Sequence, residues 1–201
     1  MPRKASKDAL TLFDALVYTC LYRVTLDPPS AAQAWVMQVR HQLRDRIGDF
    51  AGFYRLPGIQ LLEADLPPEY ERPLGDAVAR AVAGLPGFTL RLEGLTHTPD
   101  RRRICIEVAA PGSLATMRQR IADHVRANRR IKKLGVEVAD RAELVVADGL
   151  KAAQFEEAWA LLGRESFTAE HRVNDVVLLK REWADTSLDE HVCTIPLLLG
   201  R

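Results

Sequence analysis

The chain has 201 residues, 47% of them hydrophobic and 27% charged, with a formal net charge of +1. That length and composition permit a sizeable core in one large domain or two intimate lobes. The near-zero charge excludes a global field that would draw the protein to nucleic acid or to a membrane, so any nucleic-acid contact has to come from a local patch.

Met1-Pro2-Arg3-Lys4 is basic, but Asp8 and Asp14 interrupt the apolar stretch behind it and Arg23 ends it. Neither a signal peptide nor a transmembrane span is expected. Residues 1–8 read as a disordered tail, extending to about residue 10, and 9–16 as a short helix or lead-in. Val17, Thr19 and Leu21 then alternate with Tyr18, Cys20, Tyr22 and Val24, a strand period running to Leu26 and ended by Asp27-Pro28-Pro29. Ser30 is placed to cap a helix to about Ile47, with Val36, Val39, Leu43 and Ile47 on one face. A loop holding Phe53 and Tyr54 leads to a strand, Ile59 to Glu63. Pro67-Pro68 breaks the chain, and Pro73 suits the first turn of a helix to about Ala83.

A strand from Phe88 to Leu92, a turn over Thr96-His97-Thr98-Pro99-Asp100 and a strand from Arg103 to Val108 come next. Ser113 is placed to cap a helix whose Leu114, Met117, Ile121 and Val125 face inward. Another strand starts at Glu143, and a helix from about Ala152 to Leu162 shows Phe155, Trp159 and Leu162 on one side. Two strands close the chain, about Val173–Lys180 and His191–Leu199, joined by Arg181–Glu190.

Two of these segments look alike. Leu56-Pro57-Gly58-Ile59-Gln60-Leu61-Leu62-Glu63-Ala64-Asp65-Leu66 and Arg141-Ala142-Glu143-Leu144-Val145-Val146-Ala147-Asp148-Gly149-Leu150 are each a short apolar run with strand chemistry, then an acidic turn, then a helix. Each is followed by a pair of strands. The pattern is an internal duplication, and no Pro/Gly/Ser linker separates the halves. The expected fold class is α+β: two pseudo-symmetric lobes, each an antiparallel sheet with helices, around a central groove, forming a single bilobal domain over residues 1–201.

The residues that could carry chemistry are sparse. Cys20, Cys105 and Cys193 are scattered, as expected of reduced thiols in a cytoplasmic protein. His41, His97, His124, His171 and His191 show no metal-ligand spacing. His97 is expected in a solvated turn, His41 and His124 on exposed helix faces and His171 on a polar strand face, while His191 could reach the groove. Arg101-Arg102-Arg103 flanks a strand, and Arg126, Arg129, Arg130, Lys132 and Lys133 gather at a helix C-terminus, where cations complement the helix dipole or could track phosphates. Tyr18, Tyr22, Phe53 and Tyr54 could supply stacking near the groove. There is no Gly-rich phosphate loop and no Ser/His/Asp signature.

Over roughly residues 18–198 the order of elements resembles the two-histidine (2H) phosphoesterases, the 2′-5′ RNA ligase-like or LigT-like superfamily. The resemblance rests on the two segments, on Phe88–Leu95, Arg103–Val108 and Phe155–Leu162, and on Val176–Arg181 and Ile195-Pro196-Leu197. It implies a His-x-Thr/Ser motif in each segment, one histidine acting as general base and the other as general acid, with the hydroxyls donating to the phosphate. The matching positions here hold Gly58 and Glu143 for the histidines, and Gln60 and Val145 for the hydroxyl residues. One positioned proton-transfer group contributes about 10²–10⁴-fold. Gly58 replaces nothing. Glu143 could act as a base, but its charge repels a phosphodiester. Gln60 can still donate through its amide, and Val145 cannot.

No catalytic residue, metal or cofactor is therefore expected, and the residues argue against an active 2H phosphodiesterase. The expected function is a degenerate member that binds a nucleotide, an RNA end or another phosphorylated ligand in the groove through Gln60, Glu143, Arg102 and Arg103, away from membranes. Two alternatives stand beside it: an enzyme (a residual 2′,3′-cyclic or 2′-5′ phosphodiesterase, or a site rebuilt around Glu143), and a scaffold for a protein partner.

Overall fold

A computed structural model describes residues 18–109, 112–131, 135–139, 141–182 and 188–198. The expected tail and lead-in, and the pair Lys132 and Lys133, lie outside the described residues. In chain order the elements are β1 (Cys20–Leu26), α1 (Ser30–Ile47), β2 (Ile59–Leu66), a 3-10 turn (Pro68–Tyr70), α2 (Glu71–Val82), β3 (Phe88–His97), β4 (Ile104–Ala109), α3 (Gly112–Ala127), β5 (Gly135–Val138), β6 (Glu143–Ala147), α4 (Ala152–Leu162), β7 (Thr168–Val173), β8 (Asp175–Glu182) and β9 (Glu190–Pro196).

The fold is α+β, as the duplication implied. Its strands form one antiparallel sheet in the order β7-β3-β4-β6-β2-β1-β8-β9, with β5 pairing β2. The two halves are thus four strands each, β7-β3-β4-β6 and β2-β1-β8-β9. They join where Ile59 of β2 pairs with Leu144 of β6, inside the two look-alike segments.

The helices cross between the halves. α1 follows β1 but packs on α4 and on β6, and α2 packs on α3. Gln154 of α4 donates to the carbonyls of Ile47 and Asp49 at the end of α1, and Asn128 at the end of α3 donates to that of Pro73 in α2. Each helix buries an apolar stripe: Ala32, Val36, Val39 and Leu43 in α1, Leu114, Met117, Ile121 and Val125 in α3. No helix among the described residues is long and apolar enough to cross a membrane.

Several boundaries differ from the sequence pattern. Ser30 is the first helical residue rather than a cap; Pro29 holds the cap position with no side-chain hydrogen bond. Ser113 likewise lies inside α3. The strand expected over about Val173–Lys180 is β8, which starts at Asp175, and an unexpected strand, β7, precedes it and ends at Val173, with Asn174 between them. β7 lies at the sheet edge with a mostly half-exposed, polar sequence, and β5 is only four residues long, so neither carries a strong apolar period.

Two backbone details position the cavity described below. A bulge on β2 pairs Val24 with Leu62 but Thr25 with Gln60, which leaves Leu61 as the extra residue. Gln60 and Glu63 therefore share a face of the strand despite their odd spacing. At the acidic turn after β6, Asp148 bridges to Ala51, and Gly149 takes φ +65° with Ala51 so close that a Cβ would stand 2.8 Å from the Ala51 Cβ. Gly149→Ala is expected to cost about 2 kcal/mol through left-handed strain and that contact. Ala51→Gly in the same chain should recover part of the loss, as read by urea unfolding of the two single variants and the double variant.

Candidate ligand-binding site

A cavity of about 530 Å³ opens between the look-alike segments. Because Ile59 and Leu144 are direct partners, the residues flanking them turn to the opposite face together. All four positions singled out in the sequence, Gly58, Gln60, Glu143 and Val145, line the cavity, and so does Arg103. Arg102 is exposed and lies outside the lining, where its backbone serves the turn: its N–H donates to Asp100 and its carbonyl accepts from Leu150.

On the second half, Arg103 presents its guanidinium to Asp148 in a two-pronged contact, Nε to Oδ1 at 3.2 Å and Nη2 to Oδ2 at 3.1 Å. Glu143, with 17% of its side chain exposed, stands 3.7 Å from the remaining nitrogen. Burial works against the charge of Arg103, but the Asp148 hydrogen bonds and the two carboxylates raise its pKa above the ordinary value. Behind Glu143, burial and then the Glu143 charge push the Cys105 thiol up to about 12. Cys105 is a buried apolar residue rather than a nucleophile.

The first half holds residues that the sequence reading did not single out for the site. Arg23, 4% exposed in the middle of β1, pairs with Asp189 from the start of β9, and the same carboxylate accepts from the backbone N–H of Leu56 at 2.6 Å. Burial lowers the pKa of Arg23, an effect that Asp189 opposes and Arg55 reinforces. Arg55 reaches Glu63 at 3.6 Å. The Nε groups of Arg23 and Arg55 are buried without a hydrogen-bond partner among the described residues, and both arginines line the cavity.

Arg40 ties the halves together. It is 3% exposed on α1, and it donates Nε to the Val146 carbonyl at 3.0 Å, Nη2 to the Val145 carbonyl at 2.8 Å, and Nη1 to the Arg55 carbonyl. The hydrogen bonds recorded for its guanidinium go to carbonyls rather than to a carboxylate. Burial, with Arg23 and Arg55 nearby, lowers its pKa to about 10.

The histidines stay out of the cavity: none is among its described lining residues. His97 is not in a solvated turn. It ends β3, half-buried, with its ring edge-on to Phe155 and Trp159. His191 is exposed with Nε2 2.9 Å from the Thr194 hydroxyl, and His124 is half-buried with Nδ1 on the Arg120 carbonyl. Nor do the aromatics reach it. Tyr22 is fully buried and donates to Glu71 of α2, while Phe53 packs against Phe50, His41 and Tyr54. Arg126, Arg129 and Arg130 are exposed and outside the lining. No group of three or more His, Cys, Asp or Glu among the described residues is arranged to hold a metal ion.

Fold and cavity together place the chain among proteins with the LigT-like phosphoesterase fold. It is similar to TT0787 of Thermus thermophilus, with 18% identity and a TM-score of 0.64 over 89% of this chain and 97% of that one. It is also similar to Escherichia coli LigT complexed with 3′-AMP, with 13% identity and a TM-score of 0.58 over 90% and 98% of the two chains, and to a phosphoesterase with 14% identity and a TM-score of 0.58 over 90% and 98%. No protein-family model matches the chain, and no curated protein matches it in sequence.

Two outcomes follow from the packing. Arg40→Met keeps the bulk but strips donors from three carbonyls; it is expected to cost about 2–3 kcal/mol in urea unfolding, and Arg40→Lys, with one ammonium, should recover only part. At Gly58 a Cβ would meet Thr25 at 3.2 Å. Gly58→Ala is therefore expected to cost about 1 kcal/mol, and less when Thr25 is Ala; equal costs in both backgrounds would show that Thr25 does not set the limit.

Proposed function

We propose that the protein binds a small phosphorylated ligand in the cavity between the look-alike segments and does not run histidine-pair phosphodiester chemistry. The observation that carries this reading is that Arg23 and Arg55 both line the cavity and each keeps a buried Nε–H without a hydrogen-bond acceptor among the described residues. A buried donor left unpaired costs about 1–3 kcal/mol. Phosphate oxygens are the acceptors that guanidinium geometry fits best. Gln60 can add an amide donor from β2.

The similar LigT structures point the same way, since they are complexed with 3′-AMP, NADP+ or phosphate. For this chain a nucleotide or RNA end would be held by its phosphate. The described lining residues include no aromatic side chain on which a base could stack. A protein scaffold is disfavoured, because nine charged residues line the groove and it offers no continuous apolar face.

A second reading has its own support. Glu143 is largely buried beside Arg103, a setting in which a carboxylate could serve as a general base in a rebuilt site. It has no histidine partner among the described lining residues, so a second proton-transfer group would have to be another lining carboxylate such as Asp148.

Calorimetry with inorganic phosphate, 3′-AMP and 2′,3′-cyclic nucleotides tests both. Binding is expected, with Arg55→Ala weakening it about tenfold or more, the worth of one charge-assisted hydrogen bond. No heat from any of these ligands would end the binding reading. Turnover of a 2′,3′-cyclic nucleotide that disappears in Glu143→Ala would favour the rebuilt enzyme instead.

A further inference from the structure

The charges that line the cavity nearly cancel. Five arginines stand against four carboxylates, Glu63, Glu137, Glu143 and Asp148, and Asp189 neutralises Arg23 besides. The buried carboxylates already have partners. Glu63 approaches Arg55 at 3.6 Å and lies opposite Arg23 across the β1–β2 pair. Asp148 takes the two-pronged contact of Arg103, and Glu143 stands 3.7 Å from the same guanidinium, beside the Cys105 thiol.

The donors divide unevenly between the halves. Arg40 commits Nε, Nη1 and Nη2 to backbone carbonyls, and Arg103 is held by Asp148. Among the described lining residues, Arg23 and Arg55 alone keep a buried guanidinium donor without an acceptor, and both belong to the first half. Arg141 is exposed, where water and salt screen its charge. Two buried donors serve one phosphate and leave none for a second. A second phosphate, one bridging oxygen away, would share the cavity with Glu63, Glu143 and Asp148, which repel it. The half-buried cation on that side, Arg103, is already neutralised. Resting on the phosphate-binding reading above, we propose that the site takes a ligand with a single phosphate on an uncharged body and rejects diphosphates, and that Glu143 and Asp148 set this limit by occupying Arg103. Anion sites built from unpaired cations follow the opposite order, because a diphosphate brings more charge and more acceptors.

Calorimetry in magnesium-free buffer with two matched pairs tests this: inorganic phosphate against pyrophosphate, and 5′-AMP against ADP. The member with one phosphate is expected to bind at least about fivefold more tightly in each pair. Glu143→Gln and Asp148→Asn should each tighten the diphosphate member about fivefold and the monophosphate member less, because each removes a negative charge beside Arg103. Either variant serves should the other fail to fold. A smaller preference in the unaltered protein, equal affinity or the reverse order would overturn the single-phosphate limit and leave the phosphate reading standing. A preference unchanged in both variants would overturn the role of Glu143 and Asp148. Silence from all four ligands would overturn both readings.

Discussion

The guanidinium of Arg40 is the tie on which the site depends. Three carbonyls receive its donors, two from consecutive residues of β6 and one from the loop that feeds β2. These are the two look-alike segments, and they share only the Ile59–Leu144 step of sheet pairing. A junction that narrow leaves the relative position of the segments weakly specified by the ladder alone. A planar five-donor group with fixed geometry supplies what the ladder lacks, and an ammonium could not. A buried charge met by carbonyls rather than by a carboxylate is costly to hold, which is why burial lowers the pKa of Arg40.

That choice shapes the electrostatics around it. Arg23 and Arg55 lie close enough to Arg40 to act on its charge, so the first half of the cavity holds three cations against Glu63 and Asp189. Asp189 neutralises Arg23 from behind and pins the Leu56 N–H with the same oxygen, which fixes the loop entering β2. The second half is balanced the other way: Arg103 stands against both Asp148 and Glu143. The cavity thus carries charged residues of both signs on each side, although the whole chain is nearly neutral.

Much of this was legible along the chain. The duplicated segments and the order of helices and strands could be read because they follow apolar periods and a repeated pattern, and the family resemblance singled out the four positions Gly58, Gln60, Glu143 and Val145 within them. The arginines of the first half were harder. Arg23 interrupts the apolar alternation of β1 and reads as the end of a stretch, yet it is a buried partner of Asp189 across a sequence gap that no local signal spans. Arg40 did leave a trace: it falls four residues after Val36 on the inward stripe of α1, where a cation needs a reason. β5 and β7 escaped because a short strand and a polar edge strand satisfy their backbones by pairing rather than by burying an apolar face.

Gly58 bears on the proposed binding role of the cavity. The strand there approaches Thr25 of β1 so closely that even one added carbon would press on a fully buried side chain. Any side chain at this position would need Thr25 to give way slightly at its first carbon. The first half has no histidine among the described lining residues, and it supplies three arginines, Arg23, Arg40 and Arg55. Such donors hold an anion without moving a proton, which is what the proposed phosphate site asks of them.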